Sequence, residues 1–356
     1  MTRRPSLQAV IVAAFAGAMA VVHTGASSSP AQAPTFRSRV DLVTVDVAVQ
    51  RGGRPVTGLT LDDFEVRDNG VRQTLSRLVT EALPLDAWLV FDASSSLRGE
   101  PIRQLQQAAS AFVAALAPGD SAALVTFSNE ICVPQMPTTN LAAVQSAISR
   151  IEPRSATALY DATYVALQLR IPGGSRGVAV VLTDGADTSS WLGPGRVIDA
   201  AEHSDVILYG IAVQDTVGGA SAGRASFSDL PQYRFLRGLA AASGGRLFDA
   251  SFATLRETFT KVLNDIRARY LLTYSPDPAP GWHTLDVRLA RGRGDVVARR
   301  GYWAGAPSPQ GEGRDPRSRR DLAMGHDYGR RMSPEPPIHQ AGDRCRRATW
   351  SFESVR

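Results

Sequence analysis

The sequence predicts an α/β fold, a doubly wound and mostly parallel sheet, with a flanking β-rich module formed from N- and C-terminal strands. The first observation lies between Leu85 and Tyr270, where short, almost wholly apolar runs alternate with longer stretches of helical spacing. That is how a parallel sheet covered on both faces is written. The second is the period-two alternation before and after this segment, the mark of strands that bury one face. The third is what composition excludes. With 31 Gly lacking a three-residue period, no sustained heptads and 2 Cys in 356 residues, collagen-like, coiled-coil and disulfide-stapled designs fall away.

Residues 1–26 read as a secretory signal peptide: Arg3 and Arg4 give the basic flank, Ala9 to Val22 the apolar run, and Thr24, Gly25 and Ala26 the small residues before a cut. The run is too short and too rich in Ala for a comfortable membrane span. No second long apolar run follows, so the expectation is a periplasmic or secreted protein with no integral membrane segment after cleavage. Residues 39–84 form an N-terminal strand flank. Val40 to Val49 alternates as VDLVTVDVAV, Gly52-Gly53 supplies a turn, and Phe64 to Arg67 returns through Asp68-Asn69-Gly70 into Val71 to Leu78, Asn-Gly being a hairpin signal.

Residues 85–270 hold the alternating pattern. Strands are expected at Ala87 to Phe91, Ala122 to Phe127, Val178 to Leu182, Val206 to Val213 and Arg246 to Phe248. One helix carries Ile102, Leu105, Ala109, Phe112, Val113 and Leu116, and a second Leu159, Ala162, Ala166 and Leu169. A last helix carries Leu255, Phe259, Val262, Leu263, Ile266 and Tyr270 on one face. Residues 271–304 close the fold with strands at Tyr270 to Tyr274, Thr284 to Leu289 and Val296 to Tyr302. Neither flank has strands enough to bury a core alone. The two are therefore expected to combine into one sandwich-like module, with the α/β segment inserted between its halves. Residues 305–356, rich in Pro, Gly and Arg without apolar periodicity, read as a disordered tail. Cys132 falls in a strand-like stretch and Cys345 in this tail, which favours a buried thiol and a loose one over a bridge.

A net charge of +5 and a pI near 9.5 at first suggest an anionic partner such as nucleic acid. The placement of the charge removes that reading. Arg3 and Arg4 are the only charges in residues 1–26, and residues 305–356 hold 10 Arg against 7 Asp and Glu, which leaves the folded part neutral. Nucleic acid is not an expected partner.

In doubly wound sheets ligands bind beyond the carboxyl ends of the strands. There the sequence places Asp92, Ser94 and Ser96 in one turn after the first strand, and Asp184 in Leu182-Thr183-Asp184-Gly185 after the third. Between them Thr157 stands where Ser155-Ala156-Thr157-Ala158-Leu159-Tyr160-Asp161 opens a helix. Each turn alone is an ordinary capping pattern. Together they offer two carboxylates and three hydroxyls, an all-oxygen set suited to a hard divalent cation that can draw in a further carboxylate from outside.

These residues resemble the metal-ion-dependent adhesion site of von Willebrand factor type A domains: Asp-x-Ser-x-Ser at Asp92, Ser94 and Ser96, a separate Thr at Thr157, and an Asp in a Thr-Asp-Gly turn at Asp184. The resemblance implies a Rossmann-like sheet and a bound Mg2+, with Mn2+ or Ca2+ as alternatives. It also implies a protein or peptide partner whose Asp or Glu completes the coordination. Asp161 and Asp187 lie nearby and are read as a helix-surface charge and a turn-stabilising side chain. Leu59 to Phe64 and Arg299-Arg300-Gly301-Tyr302 are similar to the lead and close of bacterial secreted VWFA-related domain proteins. In related domains the last helix slides when the site engages a ligand, so the segment from Ala253 to Tyr270 is expected to carry such a signal.

Catalysis is weighed against binding. Gly173-Gly174-Ser175-Arg176-Gly177 matches Gly-x-Ser-x-Gly, but a helix precedes it and a strand follows, the reverse of a nucleophile elbow. Between the signal and the tail the histidines are His203 and His283, neither near the candidate edge. The sequence is therefore read as a non-enzymatic, metal-dependent binding protein. The alternatives are a metal-dependent hydrolase and a structural domain whose metal only rigidifies the loops.

Overall fold

Strands β1 (Val43–Arg51), β2 (Arg54–Pro55), β3 (Phe64–Asp68), β4 (Val71–Arg72) and β5 (Leu75–Val79) come first. The α/β segment follows as β6 (Leu85–Asp92), α1 (Glu100–Ala114), β7 (Ser121–Phe127), β8 (Ile131–Thr138), α2 (Leu141–Ile148), α3 (Leu159–Gln168), β9 (Arg176–Thr183), α4 (Pro194–Glu202), β10 (Ile207–Val213), α5 (Pro231–Ser243), β11 (Leu247–Ala250) and α6 (Leu255–Arg267). Strands β12 (Tyr270–Tyr274), β13 (Gly281–Leu289), β14 (Asp295–Ala298) and β15 (Gly301–Ala304) complete the fold. This computed structural model describes residues 42–80, 83–168, 175–214, 227–276 and 279–304. The expected signal peptide, the expected tail and Gly173-Gly174 lie outside them.

The central sheet has the order β11-β10-β9-β6-β7-β8. Its strands are parallel except β8, which runs antiparallel to β7 at the edge. Strand β6 is buried at every residue, as are β7 and β10, which accounts for their unbroken apolar runs. One face packs α1, α2 and α6 through Leu105, Phe112, Val144, Phe259 and Val262. The other packs α3, α4 and α5 through Ala162, Ala166, Val197, Phe235 and Leu239. Each helix puts its apolar stripe on the sheet, so the doubly wound architecture follows from where the apolar residues recur.

The flanks share two sheets. In one, β1 lies between β12 and β14, and β12 also pairs β5; in the other, β13 lies between β15 and β3, and β3 pairs β4. Val45, Val47, Val49, Phe64, Val66, Leu272, Leu285 and Tyr302 from both sheets make one core. Asn69 and Gly70, at φ 49° and 82°, form the two-residue hairpin loop between β3 and β4 that Asn-Gly predicts.

Two expected strands prove to be pairs. Val71 to Leu78 divides into β4, which pairs β3, and β5, which pairs β12; Val296 to Tyr302 divides into β14, which pairs β1, and β15, which pairs β13. In both cases the chain changes sheets, which a sandwich corner requires and a run of alternating residues does not reveal. Gly301 marks the second corner, because a Cβ there would lie 2.3 Å from the Trp282 ring. Inside the module, Asp68 accepts hydrogen bonds from the Tyr274 and Tyr302 hydroxyls, both at 2.8 Å, with His283 Nδ1 also 2.8 Å away. The buried Asp68 is thereby satisfied.

Two further expectations are corrected. Tyr270 is not on the last helix: α6 ends at Arg267, and Tyr270 opens β12 opposite Val47. Just beyond the helix, Arg269 is fully buried and turns its guanidinium to the Tyr209 hydroxyl (3.2 Å) and the carbonyls of Gly244 (2.8 Å) and Asp46 (3.2 Å). Cys132 is disulfide-bonded rather than a buried thiol, and its partner lies outside the described residues. It sits on β8, the edge strand of the central sheet among the described residues.

Candidate metal centre

The chain leaves β6 towards β7 on one side and returns as β9 on the other, so the sheet order reverses between β6 and β9. Such a switch point opens a crevice at the carboxyl ends of the two strands. Phe91 stands opposite Leu182 in their parallel register, which brings Asp92 and Asp184, just beyond, to one place.

Asp92 is fully buried. Its Oδ1 accepts the Ser94 amide at 2.8 Å and its Oδ2 the Thr183 hydroxyl at 2.7 Å. Burial pushes its carboxyl up to about 6; the bonds from Thr183 and Ser94 oppose that rise and the nearby Asp184 charge adds to it. Ser94 Oγ lies 2.9 Å from Ser96 Oγ, and Ser96 Oγ donates to Asp184 Oδ1 at 3.0 Å. Four of the five sequence-selected side chains thus form one connected cluster. Leu97, fully buried directly after them, fixes the turn to the core.

Thr157 arrives on a separate loop. The Arg154 amide donates to Ala93 O (2.7 Å), Asn129 N to Ser155 O (2.8 Å) and Ala158 N to Ser128 O (2.8 Å), so the loop is sewn to the ends of β6 and β7. Thr157 is buried, and among the described residues its hydroxyl makes no hydrogen bond to the other four. Its neighbour Ala156 has φ 59°, a left-handed conformation rare for a residue with a Cβ. Strain of that kind is held in place by surrounding structure.

Asp161 and Asp187 build the neighbouring loop. Asp161 accepts the amides of Trp191 and Leu192, both at 2.9 Å, while Asp187 accepts those of Tyr160 and Ser190, both at 3.1 Å. The turn-stabilising reading of Asp187 fits these bonds, and Asp161 does more than a surface charge would. The residue that sequence reasoning passed over is Thr183. It stands inside the Leu-Thr-Asp-Gly turn, and its hydroxyl orients Asp92 while accepting the Gly185 amide at 3.2 Å.

The donor set fits a hard cation: every group is a carboxylate or hydroxyl oxygen, and the buried carboxylate beside a second one favours a positive charge. Among the described residues no group of three or more His, Cys, Asp and Glu is arranged for a metal, so the hydroxyls are integral to this candidate. His203 caps the carboxyl end of α4, the helix that runs back to the opposite edge of the sheet. His283 is buried in the β-module, and Ser175 donates to Asp86, so neither the histidines nor the Gly-x-Ser-x-Gly serine belongs to this edge.

Residues 86–259 match the sequence model of the von Willebrand factor type A domain. This segment is a von Willebrand factor type A domain. Solved structures similar to the chain include such a domain from Catenulispora acidiphila, at 13% identity and TM-score 0.43, covering 74% of this chain and 75% of that one. Another is the von Willebrand domain of the type V pili tip protein of Porphyromonas gingivalis, at 14% identity and TM-score 0.42, covering 52% of this chain and 95% of that one. A third is proximal thread matrix protein 1 from the mussel byssus with a zinc occupied MIDAS motif, at 20% identity and TM-score 0.45, covering 55% of this chain and 48% of that one. No curated protein matches the chain. Among the described residues no helix of the von Willebrand factor type A domain or of its flanks is long and apolar enough to cross a membrane.

Proposed function

We propose that this von Willebrand factor type A domain binds a protein or peptide partner by engaging one of its Asp or Glu carboxylates through a divalent cation. Asp92, Ser94, Ser96, Thr157 and Asp184 would hold that cation. The observation that carries the reading is the hydroxyl relay from Ser94 through Ser96 to Asp184 beside the buried Asp92, at the crevice between β6 and β9. Mg2+ takes about six oxygens, so five protein donors leave room for one from outside. When bound, the cation supplies a positive centre for that oxygen. Ser94 and Ser96 hold the rim of the crevice, Thr183 and the Ser94 amide orient Asp92, and the loop around Ala156 presents Thr157.

The role is adhesive rather than enzymatic, and its setting is the periplasm or the cell exterior. The support is the absence of an imidazole at this edge among the described residues and the basic-apolar-small pattern of the first 26 residues. Calorimetric titration of the EDTA-treated full chain with Mg2+ or Mn2+ should give saturable binding that Asp184→Ala abolishes. No saturable binding to the wild type would reject the site. Ester or phosphate turnover lost in Asp92→Ala would instead favour a hydrolase.

A further inference from the structure

Trp191 is 92% exposed, the most exposed of the large apolar side chains among the described residues. Trp303 is the second exposed aromatic among them, and it lies on β15 of the β-module, stacked on His203 at 5.0 Å. Trp191 has no ring contact of that kind among the described residues, yet its amide and the residues on either side of it are tied down. Asp161 accepts its amide and that of Leu192, and the partly buried Leu192 packs against the core that α3, α4 and α5 form with the sheet. Ser190 is fixed by Asp187 and by the amides of Tyr160 and Asp161. A loop this firmly tied fixes the backbone from which the indole projects into water, so binding through it would cost little backbone ordering entropy.

The loop also adjoins the candidate site. Thr188 Oγ1 accepts the Thr157 amide at 2.9 Å, and Thr157 O accepts the amides of Thr188 and Ser189 at 2.8 and 3.2 Å. Trp191 follows Thr188 by three residues, so the chain can carry it no more than about 11 Å away. A solitary exposed apolar residue is by itself ordinary. On a backbone held beside a centre read as carboxylate-binding, a tryptophan is among the residue types that most often dominate an interface.

We infer that Trp191 is the aromatic anchor of the partner surface, and that the partner is a polypeptide segment presenting its acidic residue beside a bulky apolar side chain that packs on the indole. This deepens the reading above and rests on it. A polypeptide is favoured over an acidic polysaccharide because sugar chains are gripped by successive rings, and among the described residues this edge exposes one.

The test pans the full chain, in Mg2+ and in EDTA, against a peptide library with a fixed central Asp and randomised flanks, and against polygalacturonate. The wild type should enrich Phe, Trp, Tyr or Leu beside the Asp in Mg2+ alone. In Trp191→Ala the Asp-dependent capture should persist at least about tenfold weaker with the flanking preference gone, whereas Trp191→Phe should keep the preference. Mg2+ titration should be unchanged in both variants, which shows that the loop and the site are intact. Capture without a flanking preference, or a preference that survives Trp191→Ala, overturns this inference and leaves the metal reading standing. Capture of polygalacturonate alone overturns the polypeptide, and no Mg2+-dependent capture of either probe overturns both.

Discussion

Asp92 is shut off from water, and its carboxyl titrates near 6 because burial penalises the anion more than Thr183 and Ser94 can offset. A carboxyl raised from 3.8 to about 6 binds more protons folded than unfolded between those values. The metal-free protein is therefore most stabilised by this group below pH 4 and loses that contribution as pH rises through 6. The size is on the order of 3 kcal/mol. Urea unfolding in EDTA at pH 4, 5 and 7 checks it: the stability of the wild type relative to Asp92→Asn should fall over this range, and a flat difference would contradict the burial argument. Protons and cation compete for the same oxygens, so Mg2+ affinity should weaken below pH 6.

At the scale of the element, the end of α6 is tied by a cluster of buried charged groups. Arg176, itself buried, donates to Ile266 O at 3.1 Å and approaches Asp46 Oδ1 to 2.9 Å, an ionic contact without hydrogen-bond alignment. Arg246 pairs with Asp265 at 3.0 Å, Gln50 also donates to Asp265, and Arg269 fills the middle. Truncating a buried charge strands its partners. Arg269→Met should therefore lower stability by about 3–5 kcal/mol in urea denaturation, far more than a surface arginine would. None of this was legible in the sequence. Arg176, Asp46 and Asp265 are separated by long stretches of chain and carry no motif, whereas β6, β7, β9 and β10 announced themselves because burial on both faces leaves only apolar residues. The site divides the same way. Asp92, Ser94, Ser96 and Asp184 are short-range turn chemistry and were readable, but the bond from Thr183 to Asp92 depends on two strands lying side by side. Strand β8 was legible only as the strand-like stretch around Cys132, because Pro134 and Pro137 interrupt its alternation, as edge strands allow.

For the whole molecule, the same network joins the β-module to the inserted domain, since Asp46 and Gln50 belong to β1 and their partners are Arg176 of β9, Asp265 of α6 and Arg269, two residues beyond that helix. Gly244, in the left-handed conformation that ends α5, has the backbone of Ala298 and Arg299 so close that a Cβ would meet it at 2.4 Å. The two parts are therefore expected to unfold together. The loss of helix signal by circular dichroism and of amide protection in β1 and β13 by hydrogen exchange should coincide along a urea series, and two separated transitions would show that the network does not couple them. Where the chain enters and leaves the inserted domain, Val79 and Leu271 are direct partners in the β5–β12 pair. The chain thus passes from module to domain and back through two neighbouring strands. Tension applied between the two ends of the module is carried by the hydrogen bonds of its sheets before it reaches the domain, so pulling those ends apart loads the strands ahead of the crevice.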